Sequence, residues 1–248
     1  MNKATFRFYA ELNDLLPVKR RYSNFTVEFP DGQTVKHLIE SCGVPHTEVD
    51  LILANGTSTG FAYQVRHGDF ISVYPVFESL DLSSFTDLRS TPLRMTAFVM
   101  DCHLGRLAAY MRLLGFDVLY RNDYLDEELA DISQNEKRIC VTRDRGLLKR
   151  NQIEHGYLVR ATDPREQTVE LVRRFQLNHA ICPFVRCVRC NGKLTPVSVA
   201  EVREQLEPGT LENIRDFSRC ENCGQVYWKG SHFRYLMNFI EYIKSQTE

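Results

Sequence analysis

Two short cysteine pairs constrain this chain more than any other feature: Cys187-Val-Arg-Cys190 and Cys220-Glu-Asn-Cys223, separated by residues 191–219. A CxxC knuckle turns two thiolates toward one point, and a second knuckle supplies the other two corners of a tetrahedron. Asn191-Gly192 and Gly224 follow the knuckles, where the chain must turn sharply after a ligand. The pattern predicts a zinc ribbon with structural Zn²⁺ on four thiolates, a closed set that leaves no open position for catalysis at that metal. A dithiol redox site is the other reading of a CxxC, but it has no use for two pairs. Cys42, Cys102, Cys140 and Cys182 are scattered singly, and Cys182 is read as structural.

Reduced thiols presuppose a reducing compartment. The N-terminus, MNKATFRFYAELND, lacks the basic, apolar, small-residue order of a signal peptide, and no apolar run approaches the roughly 20 residues of a membrane helix. A cytoplasmic protein with no membrane contact is therefore expected. The chain has 248 residues, 43% hydrophobic and 25% charged, which suffices for a core without covalent staples. A formal net charge of −1 excludes a uniformly basic protein that coats nucleic acid and leaves room only for a local basic face.

Residues 1–80 read as one α+β domain. ATFRFYAEL and NFTVEF alternate apolar and polar residues at period 2, and the second ends at the turn Pro30-Asp31-Gly32. TVKHLIESCG carries Val35, Leu38 and Ile39 at helical spacing, with Thr34 as N-cap and Gly43 as stop. DLILANG and DFISVYPVF supply two further strands. The order strand, strand, helix, strand, strand resembles the ubiquitin-like β-grasp fold and its small sulfur-carrier branch. Those carriers end in an exposed Gly-Gly, whereas the corresponding YPVFESLD has none and runs on into another domain. A partner-binding or supporting role is expected in place of a carrier's.

The Ser-, Thr- and Asp-rich stretch at 80–92 marks the domain boundary. From 93 to 180 short apolar strands (AFVM, FDVLY, RICVTRD, GYLVRAT) alternate with helical segments (LGRLAAYMRLLG, LDEELADISQN), the pattern of a parallel α/β sheet. Residues 181–248 hold the ribbon and a C-terminal helix.

Ligands of open parallel sheets bind beyond the carboxyl ends of the strands. Asp101 ends the first of these strands, Asp123 follows the second, Asp144 ends the third and Asp163 follows the fourth, with Asp126 and Glu127 opening a helix on the same rim. Converging carboxylates repel unless a cation lies between them, and hard oxygen donors with room for water favour Mg²⁺ or Mn²⁺. The plain alternative is that strand-end aspartates are turn residues and caps. It weighs most on Asp123 and on Asp163, which precedes Pro164.

FVMDCHLGRLAAYMRLLGFDVLYRNDYLDEELADI followed by RICVTRDRGLLKR resembles the Mut-seven C-terminal RNase domain family, a branch of the PIN-like nucleases. The resemblance, which with the β-grasp segment covers nearly the whole chain, implies a metal-dependent RNase. In that reading Asp101, Asp126 and Asp144 are catalytic and hold Mg²⁺ or Mn²⁺. Cys102-His103 departs from the family's usual pair, and the fourth acidic position is not evident. Many PIN-like domains pair to build their groove, so an oligomer is open.

Arg106, Arg143 and Arg145 lie within a few residues of the proposed ligands and are candidates for RNA phosphate contacts. Arg112, Lys149 and Arg150 fit a solvated helix face as well, and His103 fits a first-turn residue better than a proton shuttle. After the second knuckle, QVYWKGSHFRYL resembles the family's ribbon ending: Tyr227 and Trp228 are expected to stack on bases or to pack the ribbon, and His232 and Arg234 to contact RNA. The rival function is a non-catalytic RNA-binding or adaptor protein that works through the ribbon and the β-grasp domain.

Overall fold

The computed structural model describes residues 1–75, 96–206 and 208–247. The boundary expected at 80–92 lies outside the described residues. In chain order the elements are β1 (Asn2–Phe8), β2 (Phe25–Phe29), α1 (Val35–Ser41), β3 (Val49–Ala54), β4 (Thr57–Ser58), β5 (Phe70–Pro75), β6 (Ala97–Met100), α2 (Gly105–Leu113), β7 (Asp117–Tyr120), α3 (Asp126–Glu136), β8 (Ile139–Thr142), β9 (Gly156–Leu158) and α4 (Pro164–Arg174). The last third adds β10 (Leu194–Val197), α5 (Val199–Val202), α6 (Pro208–Asn213), β11 (Phe217–Cys220), β12 (Val226–Trp228) and α7 (Phe233–Thr247). Contacts group the chain into two compact units, Met1–Met95 with Asp126–Leu158, and Thr96–Leu125 with Val159–Glu248.

In the first unit a five-stranded sheet has the order β2-β1-β5-β3-β4. β1 pairs antiparallel with β2 and parallel with β5, and β3 runs antiparallel to β5. This is the β-grasp expected from the first 80 residues. Period 2 in β1 sends Ala4, Phe6 and Phe8 into the core while their neighbours face outward. Thr34 caps α1 by accepting from the His37 N–H, and Gly43 turns the chain away at φ +99. β4 was not legible as a strand. Asn55 and Gly56 both take positive φ, the geometry of a tight hairpin turn, so two residues beyond it fold back onto β3.

The same unit contains α3, β8 and β9. β8 and β9 pair in parallel, Cys140 beside Gly156 and Thr142 beside Leu158. All four residues of β8 are buried, as expected of a parallel strand covered on both faces.

In the second unit β6 and β7 also pair in parallel, from Ala97 beside Asp117 to Met100 beside Tyr120. α2 turns Leu107, Ala108 and Met111 inward and packs on β7 and on α4. Asp163 is the N-cap of α4, accepting through Oδ1 from the N–H groups of Arg165 and Glu166, the cap that was one of its two expected roles. α7 lies along α4, with the Tyr110 and Phe239 rings 4.4 Å apart and the Tyr242 hydroxyl donating to Glu166 at 2.7 Å. The ribbon is a three-stranded antiparallel sheet, β10-β11-β12, over a small core of Val202, Phe217 and Val226.

Candidate metal centres

The four knuckle cysteines converge. Their sulfur atoms lie within 4.8 Å of one another, with Cys187 Sγ 3.7 Å from Cys223 Sγ and Cys190 Sγ 3.4 Å from Cys220 Sγ. Those separations are far longer than a disulfide at about 2.05 Å. They approach the edge of roughly 3.8 Å that a tetrahedron with metal–sulfur bonds of about 2.3 Å requires. Burial raises the Cys187 thiol, but the Tyr227 hydroxyl and the backbone N–H groups of Cys190 and Arg189 outweigh it and bring its pKa down to about 7. Burial, with the neighbouring sulfurs, pushes Cys190 up to about 12. Four such groups cannot all ionise together without a cation, and the donor set fits a thiophilic one. Tyr227, expected to stack on a base or to pack, places its hydroxyl 3.0 Å from Cys187 Sγ, a role the sequence did not suggest. Trp228 leans on Phe217 with ring centroids 6.3 Å apart and remains 40% exposed.

The ribbon's seating shows what local reasoning missed. Arg112, expected on a solvated face or on phosphate, is only 3% exposed. Its Nε donates to the Val118 carbonyl at 2.9 Å, and its Nη1 to the carbonyls of Val188 and Arg189, inside the first knuckle, at 3.2 and 3.0 Å. Burial lowers its pKa, opposed by the charges of Cys190 and Cys187. Asn191 continues the attachment, accepting from Val118 N–H at 3.0 Å and donating to Asp117 at 2.8 Å.

A second group of metal-capable atoms lies at the carboxyl end of β6. The carboxylate of Asp101, the thiol of Cys102 and the imidazole of His103 fall within 4.8 Å of one another. Asp101 is 7% exposed, while His103 faces solvent. Residues Cys102–Leu104 form a 3-10 turn that leads into α2, closed by Leu104 N–H donating to the Asp101 carbonyl at 2.9 Å. The Cys102 thiol bonds to the Asp101 carboxylate, and that bond, followed by burial, raises its pKa. Tyr120 supports the turn from β7, its hydroxyl donating to the Cys102 carbonyl at 2.9 Å. Gly105 makes this approach possible, because a Cβ there would stand 2.6 Å from the Tyr120 oxygen. Arg106 is exposed on the first turn of α2.

The other proposed ligands belong to the first unit. Asp126 opens α3 with an exposed carboxylate 3.9 Å from Arg150 Nη2. Asp144 leaves β8 exposed, its carboxylate accepting from Gly146 N–H at 2.6 Å and its own N–H bonded to Thr142 Oγ1 at 2.9 Å. Arg143 beside it is exposed, whereas Arg145 donates through Nη1 to the carbonyls of Leu15 and Gly43 at 3.2 and 3.4 Å. Asp123 forms an exposed pair with Arg121 at 2.8 Å, and that hydrogen bond lowers its pKa, so it behaves as a turn residue. His232 and Arg234 are exposed at the start of α7. Among the described residues no helix is long and apolar enough to cross a membrane.

A family model described as Mut7-C RNAse domain matches residues 96–240, and one described as Mut7-C ubiquitin matches residues 1–81. No curated protein and no solved structure matches.

Proposed function

Because the chain belongs to the Mut7-C RNAse domain family, we propose that it is a metal-dependent ribonuclease whose Asp101, Asp126 and Asp144 hold Mg²⁺ or Mn²⁺. The observation that carries the reading, beyond membership, is the Asp101 carboxylate, set at the carboxyl end of β6 and fixed in a turn by Tyr120. Carboxyl ends of parallel strands are where such folds hold ligands. When bound, the ion supplies a water activated for attack on phosphorus and charge to offset the developing phosphorane. The chain's own residues have simpler tasks. Asp101, Asp126 and Asp144 offer oxygen donors, and Arg106 and Arg143 draw the phosphate backbone to them. His232 and Arg234, beside Trp228, provide a polar and aromatic surface for single-stranded RNA. In this reading the four cysteines bind one structural Zn²⁺, and thiolate ligation suits a reducing compartment, the cytoplasm.

The test is cleavage of a mixed RNA pool by purified protein with Mn²⁺, with Mg²⁺ and with EDTA, beside Asp101→Asn. Metal-dependent cutting that the variant loses while keeping the wild-type circular dichroism spectrum is the expected result. Wild-type turnover by Asp101→Asn removes the site assignment. Absence of cutting by folded, zinc-loaded protein, with no Mn²⁺ bound at equilibrium, favours an RNA-binding adaptor instead.

A further inference from the structure

Every residue from Val44 to Val49 is buried, including the polar side chains His46, Thr47 and Glu48 at 6, 2 and 1% exposure. The segment is the connection after α1, on the outside of a β-grasp sheet, where an isolated domain of this fold would leave it in water. Its own domain covers His46 in part, through Glu40 at 2.8 Å and the Phe61 ring, and the chain between α3 and the end of β9 covers it from the other direction. The turn His46–Glu48 packs against Leu147–Lys149 and against β9. The Glu48 carboxylate accepts from the Leu158 N–H at 2.7 Å, and His46 Nε2 meets the Ile153 carbonyl at 3.1 Å. Lys36 Nζ donates to Asn151 at 2.6 Å.

Two cations from the loop after β8 reach the C-terminal end of α1. Lys149 Nζ donates to the Glu40 carbonyl at 2.9 Å, and Arg145 donates to the Gly43 and Leu15 carbonyls. Lys149 thereby sets a cation at the negative end of the α1 dipole, on a carbonyl that also accepts the Gly43 N–H at 3.0 Å, and Arg145 holds the chain just beyond the helix. Gly43 is fitted to this contact. It holds φ +99, and a Cβ on it would stand 3.2 Å from Arg145 Nη1. Asp144 is the residue immediately before Arg145, and Gly146 binds its carboxylate from the other side.

We propose that the ubiquitin-like domain is an intramolecular clamp on the loop that carries Asp144, with Arg145 and Lys149 as positioning residues. It follows that the α1–β3 face of the domain is closed to an outside protein. The catalytic consequence rests on the nuclease reading, but the clamp does not. Amide hydrogen exchange of the full chain decides it. Arg145→Ala combined with Lys149→Ala is expected to raise exchange at residues 143–150 at least tenfold while leaving β1 and β6 protected, and Arg145→Lys is expected to restore part of the protection. The same double variant should require several-fold more Mn²⁺ for half-maximal RNA cleavage. Exchange at 143–150 that stays at the wild-type level in the folded double variant overturns the clamp. If the wild type cuts no RNA, raised exchange still upholds the clamp and the failure belongs to the nuclease reading alone.

Discussion

Arg112 offers the sharpest measurement at the scale of single residues. Its guanidinium is buried, and it donates to carbonyls of β7 and of the first cysteine knuckle. A methionine fills similar volume but leaves three carbonyls without that donor, the one of Val118 in a buried contact and those of Val188 and Arg189 in part-buried ones. Leaving a buried acceptor without its donor costs about 1–3 kcal/mol, more than losing an exposed contact would. Arg112→Met is therefore expected to lower the unfolding free energy measured in urea by an amount of that order and to speed zinc release to a colorimetric chelator. Arg112→Lys should rescue little, because one ammonium cannot reproduce the planar fork that spans both elements. A stable Arg112→Met protein with wild-type zinc retention contradicts this account. Nothing in the local sequence pointed to that role. LGRLAAYMRLLG places Arg112 among apolar helix residues, but its knuckle partner Val188 is 76 positions away. The Tyr120–Cys102 contact was hidden for the same reason. By contrast the apolar strand AFVM and the following Asp101 are local features, and they appear in the structure where the sequence pattern placed them.

The ribbon is the element whose chemistry can be titrated. In metal-free protein the Cys187 thiol, at about 7, is ionised at pH 8 and protonated at pH 6, while Cys190, at about 12, is protonated at both. Zinc must displace whatever protons the thiols carry, so its apparent affinity falls as pH falls. The slope of log affinity against pH is expected to steepen by about one proton below pH 7, where Cys187 must also lose its proton. Tyr227→Phe removes the hydroxyl that favours the Cys187 thiolate, and the break in slope should then move to higher pH. Competition with a chromophoric chelator between pH 6 and 9 measures both curves. An unmoved break in Tyr227→Phe would mean that the backbone N–H groups alone set the Cys187 thiol. The four cysteines were legible from spacing, but the tyrosine was not. QVYWKGSHFRYL presents it as one aromatic among several, and only the pairing of β12 with β11 turns its hydroxyl toward the knuckle.

At the scale of the molecule the N-terminal fold was readable and its use was not. Alternation in β1, the Thr34 cap and the Gly43 stop all lie within a few residues of their partners. The burial of His46, Thr47 and Glu48 depends on residues about a hundred positions later, where Ile153 and Leu158 meet them. A polar run such as PHTEVD gives no hint of that, since its composition is that of a solvated turn. The consequence is that residues 1–75 should not be separable from the rest. Deleting them strips the acceptor from the Leu158 N–H and uncovers the turn Leu147–Lys149, whose two leucines are fully buried. An exposed apolar turn beside the strand edge of β9 invites association between chains. The fragment from residue 76 onward is expected to be prone to aggregation, with fast exchange at 145–158 and retained protection in the zinc ribbon. Adding the separately produced N-terminal segment should restore protection at 145–158, and a Gly43→Ala segment should restore less. A monomeric fragment with full-length protection at 145–158 would instead make the domain a dispensable appendage, free to engage partners through the face that α1 and His46–Glu48 present.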